Sequence, residues 1–113
     1  MKHLLIIFSL LLTSVGWSED VDLVDLVYRD GLHYEKFSNE PYNGNSTGLY
    51  KGKIIDGKKE GEWFFYHDNG QLWSKNNYKD GEQEGKQFWY DENGKLKETT
   101  IWKDGELIER IEH

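Results

Sequence analysis

"DGKKEGEWFFYHDNG" spans residues 56–70, and "DGEQEGKQFWYDENG" spans residues 80–94 in the same pattern. The interval is 24 residues and it recurs: Asp56, Asp80 and Asp104 keep it, as do Gly57, Gly81 and Gly105. Gly61 and Gly85, Tyr66 and Tyr90, and Gly70 and Gly94 follow the same spacing. An internal repeat of this length marks a supersecondary unit that cannot bury its own apolar face and needs neighbours in series. In each unit two runs rich in aromatic residues flank Asn-Gly, "EWFFY" and "QLWSKNNY" around "HDNG", then "KQFWY" and "KLKETTIW" around "DENG". Asn-Gly between such runs is a strong hairpin signal, because Gly70 and Gly94 adopt positive φ without a Cβ clash. The pattern is compatible with a two-residue turn and with a longer loop closed by a glycine bulge. A helical reading fails, since each interior glycine costs a helix about 1 kcal/mol.

The expected fold is therefore all-β, with tandem β-hairpins forming an elongated, single-layered antiparallel sheet. Alternation assigns the faces. Phe64, Tyr66, Leu72 and Tyr78 share one parity, and their equivalents Phe88, Tyr90, Leu96 and Trp102 are all apolar or aromatic, so these eight are expected on the packed face. Trp63 becomes Gln87 and Trp73 becomes Lys97, whereas Phe65 and Trp89 stay aromatic on the other parity. Trp63, Phe65, Trp73 and Trp89 are thus the candidate exposed patch for binding a partner, against the alternative that all the rings only fill the interior of a thin sheet. "DGKKEG" and "KDGEQEG" read as charged, solvated links between hairpins, with Gly61 and Gly85 releasing the next strand.

The ends depart from the repeat. "GLYKGKIIDG" resembles the second half of a unit, with Ile54 where Tyr78 and Trp102 stand, and "GELIERIEH" has Glu109 where a glycine would recur. Atypical end repeats cap an array against edge pairing. Upstream, "VDLVYRDGLHYEKF" is a hairpin candidate turning at Asp30-Gly31; a two-residue loop there sets Val27 opposite Tyr34 and Asp25 opposite Lys36. "SNEPYNGNSTG" reads as a loop. The expected organisation is a leader at 1–18, a hairpin and connector at 19–44, and the repeat array at 45–113.

The leader reading rests on Lys2, the apolar run Leu4–Leu12 and the small residues that follow, which together form a secretory signal peptide pattern. Cleavage fits after Gly16 or Ser18. The rival, a retained anchor, has an apolar run well short of the roughly 20 residues of a span. The expected location is periplasmic or extracellular.

Composition narrows the function classes. The formal charge is −7, and removal of residues 1–18 takes away Lys2 and no acid, moving it to −8. Nucleic acid is a poor partner for such a chain, because phosphate binding rests on clustered Lys and Arg. With no cysteine there is neither disulfide nor thiolate chemistry. His33, His67 and His113 share no ligand-like spacing, so no metal site is expected. "HDNG" and "DENG" lack the closing glutamate of a calcium loop. The carboxylates sit in turns rather than paired across a cleft, and no nucleophile motif is present. Neither catalytic residues nor cofactors are expected.

The segment from Asp56 to Gly105 resembles MORN repeats, specifically the bacterial variant form found in YwqK-type antitoxin proteins, and Tyr28 to Gly57 resembles the lead-in of such chains. The resemblance implies stacked β-hairpins in a single-layered sheet. It also implies a non-catalytic interaction module, in its sharper form an antitoxin or immunity protein that masks a toxin, for which a net negative chain favours a basic partner. Trp63 and Gln87 stand where the better-known form of the repeat has glycine, and an acidic chain is ill suited to anionic headgroups, so membrane lipid is not an expected ligand. The alternative is a structural or glycan-binding repeat of the cell envelope.

Overall fold

A computed structural model of the chain describes residues 20–113. The expected leader lies outside the described residues. The elements are β1 (Val21–Asp22), a 3-10 turn (Leu23–Asp25), β2 (Val27–Arg29), β3 (Leu32–Tyr34), β4 (Gly44–Thr47), β5 (Tyr50–Ile55), β6 (Lys58–Tyr66), β7 (Leu72–Lys79), β8 (Glu82–Gln83), β9 (Gly85–Tyr90), β10 (Leu96–Lys103) and β11 (Glu106–Glu112). The main sheet runs β1-β4-β5-β6-β7-β9-β10-β11, with β8 also on β7, while β2 and β3 form a separate pair. Every pairing is antiparallel except β1 with β4. This is the all-β meander of hairpins that the repeat implies.

Two kinds of turn alternate along it. The Asp-Gly pairs form two-residue turns, with φ of 50° and 80° at Asp56 and Gly57 and near-identical values at Asp80-Gly81 and Asp104-Gly105. Positive φ at both central residues is the turn whose twist matches the strands it joins. The Asn-Gly segments take the longer form: His67 N donates to Gln71 O and Gly70 N to His67 O, with Gly70 at φ 88°, and Asp91, Gly94 and Lys95 repeat the arrangement. The hairpins thus continue directly into one another. Lys58, Lys59 and Glu82 are strand residues rather than link residues.

The Asp-Gly turns are tied to the unit before them. Gly57 N donates to Tyr42 O, Gly81 N to Lys59 O and Gly105 N to Gln83 O. Beside each of these, the Asp N–H finds the side chain of the residue that follows the acceptor: Asp56 N to Asn43 Oδ1, Asp80 N to Glu60 Oε2 and Asp104 N to Glu84 Oε1, all at 2.8 Å. Glu60 and Glu84 are therefore turn caps and not free solvated charges. Charge-assisted bonds of this type outweigh neutral ones about twofold.

The face assignment from simple alternation is overturned. Pairing sets Gly61 opposite Tyr78, Trp63 opposite Asn76 and Phe65 opposite Ser74, but Tyr66 opposite Leu72. One extra residue, Trp73, bulges from β7 between Leu72 and Ser74, and the bulge inverts parity within that strand. Tyr78 consequently shares a face with Trp63, while Leu72 shares the other with Phe64 and Tyr66. Lys97 bulges from β10 in the same way, setting Leu96 opposite Tyr90 but Glu98 opposite Trp89.

The core lies on the Trp63 face. Tyr42, Ile54, Trp63 and Tyr78 are buried, with Val21, Leu23, Leu26, Tyr50 and Phe65 packed against them. Of the eight residues expected on the packed face, only Tyr78 is buried; Phe64, Tyr66, Leu72, Phe88, Tyr90, Leu96 and Trp102 are half-buried. Phe64 instead lies between Lys51 and Lys75 across the strands. The connector expected as loop contributes both β4 and the buried Tyr42. In the N-terminal hairpin Val27 does face Tyr34 around an Asp30-Gly31 turn, but Asp25 belongs to the 3-10 turn and has no cross-strand place opposite Lys36.

Candidate functional site

The four candidate binding residues are brought together, although not as an evenly exposed patch. Trp63 and Phe65 alternate onto one face of β6, the bulge turns Trp73 of β7 toward Phe65, and Trp89 of β9 lies opposite Ser74 beside it. Ring centroids are 6.2 Å apart for Trp63–Phe65, 6.3 Å for Phe65–Trp73 and 5.4 Å for Trp73–Trp89. These are ordinary tilted and edge-on aromatic separations. Exposure is uneven along the row: Trp63 is 0% exposed, Phe65 and Trp89 are half-buried, and Trp73 between them is 37% exposed. Trp63 is a core residue and is withdrawn from the exposed patch.

Two further residues complete the open end, and sequence reasoning did not place them there. Tyr50 packs edge-on against Phe65 at 5.4 Å, and the His67 ring lies 6.1 Å from Trp73. His67 also bonds through Nε2 to the Tyr90 carbonyl at 3.1 Å, which ties the first long loop to the second unit. The bulge that brings Trp73 into the row leaves no residue-type signature in the strand itself, so alternation alone does not find it.

At the closed end the row is roofed by a lysine. Lys59 Nζ lies 5.0 Å from the Tyr78 ring centroid and 5.4 Å from those of Trp63 and Phe65. Cation–π attraction holds it there, and burial lowers the pKa of its ammonium. Beyond Lys59 a cleft is lined by Tyr28, His33 and Lys58. Burial, with Lys59 nearby, pushes the His33 imidazole below its ordinary value.

Between the rings and the C-terminal strands the same face turns polar. Ser74 Oγ donates to Asn76 Oδ1 at 2.9 Å, and Gln87 Nε2 donates to the same oxygen. Thr100 Oγ1 donates to Gln87 Oε1 at 3.1 Å, and Trp102 Nε1 donates to Thr100 Oγ1 at 2.8 Å. Gln87 thus continues the position of Trp63 as a buried polar residue, exchanging ring packing for a hydrogen-bonded row across β7, β9 and β10. Among the described residues no group of three or more His, Asp and Glu is placed to hold a metal ion.

A tandem β-hairpin repeat with an aromatic row on one face defines the class of protein. Residues 59–80 and 83–104 match the MORN repeat variant, and each match covers one strand–Asn-Gly loop–strand unit. The two matches are adjacent and keep the 24-residue step of the turns. No curated protein and no solved structure matches the chain. Repeats of this kind suggest a repeat-based interaction module.

Proposed function

We propose that this chain is a non-catalytic, exported protein-binding module whose contact surface is the open end of the aromatic row: Phe65, Trp73 and Trp89, flanked by Tyr50 and His67. The observation that carries the reading is Trp73, 37% exposed between Phe65 and Trp89 in a row whose other rings are half-buried or buried. Exposed tryptophan beside a packed apolar surface is what binding hot spots are made of. The net charge favours a basic partner by faster encounter, and the resemblance to antitoxin proteins makes neutralisation of a toxin the sharper form of the reading. The leader-like pattern of residues 1–18 supports an encounter outside the cytoplasm.

The test is affinity capture from envelope and soluble fractions of the protein's own source, comparing the chain with a Trp73→Ala/Trp89→Ala variant that keeps its far-UV CD spectrum. The expected result is one basic protein retained by the first, lost with the second, and released as salt rises. Retention unchanged by the double variant would refute the assigned surface. Tryptophan quenching by soluble cell-wall glycan, with no protein retained, would replace the reading with an envelope glycan-binding one.

A further inference from the structure

β11 ends the sheet, and its outer edge is specified differently from every turn-bearing strand before it. The positions that receive the next Asp-Gly turn are Tyr42 and Asn43, then Lys59 and Glu60, then Gln83 and Glu84. One more step of 24 reaches Leu107 and Ile108. Ile108 carries no acceptor for a turn N–H and is 59% exposed. The edge is therefore not built to take another unit of the same kind.

Charge placement shows what it is built to take. Glu98 of β10 lies directly opposite Glu112 of β11, and Arg110 Nη1 pairs with Glu98 Oε1 at 2.8 Å. Like charges directly opposite one another destabilise a sheet. Among the described residues no cation forms an ion pair with Glu112. The backbone adds a constraint. His113 N donates inward to Lys97 O, so by antiparallel alternation Glu109 and Ile111 also bond inward, and Arg110 and Glu112 turn their N–H and C=O groups outward.

We propose that β11 pairs antiparallel with β11 of a second copy, about a two-fold axis through Ile111. That register sets Arg110 opposite Glu112 of the other copy, twice, and both positions turn their backbone groups toward the partner strand. Each Glu112 gains the cation it lacks. On the opposite face the same register sets Glu109 against His113, twice, with Ile111 against Ile111 at the centre. An axis through Arg110 would oppose Arg110 with itself, and an axis through Glu109 or Glu112 would oppose like carboxylates. Ile108 lies at the bulge where β11 slips against β10, which removes it as a centre. The proposal does not depend on what the aromatic row binds, because the pairing uses an edge and leaves Trp73 free.

An edge contact of this length buries less than the ~1,200 Å² of a standard stable interface, so a concentration-dependent dimer is expected. Sedimentation velocity of the purified chain across a dilution series reads it directly. Glu112→Pro removes one outward N–H and no bond to β10, a substitution that edge strands tolerate; it is expected to give a folded monomer. Arg110→Glu is expected to weaken the dimer on the order of tenfold or more. Arg110→Glu combined with Glu112→Arg is expected to restore it, since the guanidinium then carried at position 112 would face both Glu98 and the other copy's new carboxylate at position 110. A chain that stays monomeric at every concentration overturns the proposal, as does a dimer that survives both Glu112→Pro and Arg110→Glu.

Discussion

Gly52 of β5 lies beneath the Trp63 indole, and replacing it with alanine tests whether that ring is the fixed centre of the core. A Cβ at Gly52 would fall well inside 3.0 Å of the ring atoms Cγ, Cδ2 and Cε2. The backbone at Gly52 is not left-handed, so the substitution carries no conformational penalty and would gain about 0.4–1 kcal/mol from the unfolded chain. Steric overlap works against that gain. Trp63 is 0% exposed, its Nε1 donates to Lys53 O at 3.0 Å, and Phe65 and Tyr78 stand edge-on at 6.2 and 6.4 Å. The ring cannot swing aside without losing its hydrogen bond, so the cost belongs at the upper end of the ~1–3 kcal/mol of core overpacking. The net loss is about 2 kcal/mol, a fall in Tm of roughly 8–16 °C for a domain of this size. Far-UV CD melting is the assay, because it does not depend on the emission of Trp63. In the double variant Gly52→Ala/Trp63→Phe the smaller ring relieves the overlap, and the two changes couple favourably by about 1 kcal/mol or more. A Gly52→Ala midpoint equal to or above that of the parent would refute the placement of Trp63.

Two further outcomes follow from the turns and the cleft. Glu84→Ala leaves Asp104 N without its acceptor and is expected to cost about 1–2 kcal/mol in urea unfolding, as is Glu60→Ala at Asp80; a neutral result at both would show that water replaces the carboxylates without loss. His33 has a pKa below its ordinary 6.5 in the folded chain, through burial and the nearby Lys59. Between that lowered value and 6.5 the unfolded chain binds a proton that the fold refuses, so stability rises with pH through the window and falls as pH drops below 6.5. Urea midpoints along a pH series should show the slope, and His33→Asn should flatten it; an unchanged slope would assign it to other groups.

The strand order was legible because Asp-Gly and Asn-Gly specify turns by the φ that their residues tolerate, and their spacing fixed the number of strands between them. The faces were not legible. Counting alternate residues from Phe64 through Tyr78 crosses the bulge at Trp73, and one added residue exchanges the two faces. Comparing the units compounded the error: Trp63 aligns with Gln87, which reads as an exposed position, yet both are buried because the core passes from rings to a hydrogen-bonded polar row along the sheet. Tyr42 was hidden by its setting between Pro41 and Asn43-Gly44, residue types that mark loops. Of the candidate contact residues, Phe65, Trp73 and Trp89 do gather at one place, brought there by the bulge rather than by parity.

The stacked Asp-Gly turns give the array a direction of growth. Each turn draws its acceptors from residues already in place on the N-terminal side, and none depends on a strand still to come. A chain emerging from synthesis can therefore close its Asp-Gly turns one after another, while the first long loop gains its His67 and Asn69 bonds only when the second unit arrives. Removal from the C-terminal end sheds whole units without orphaning an Asp-Gly turn, whereas loss of the Tyr42–Asn43 segment strips the first such turn of both its acceptors and leaves the order of closure without its first step.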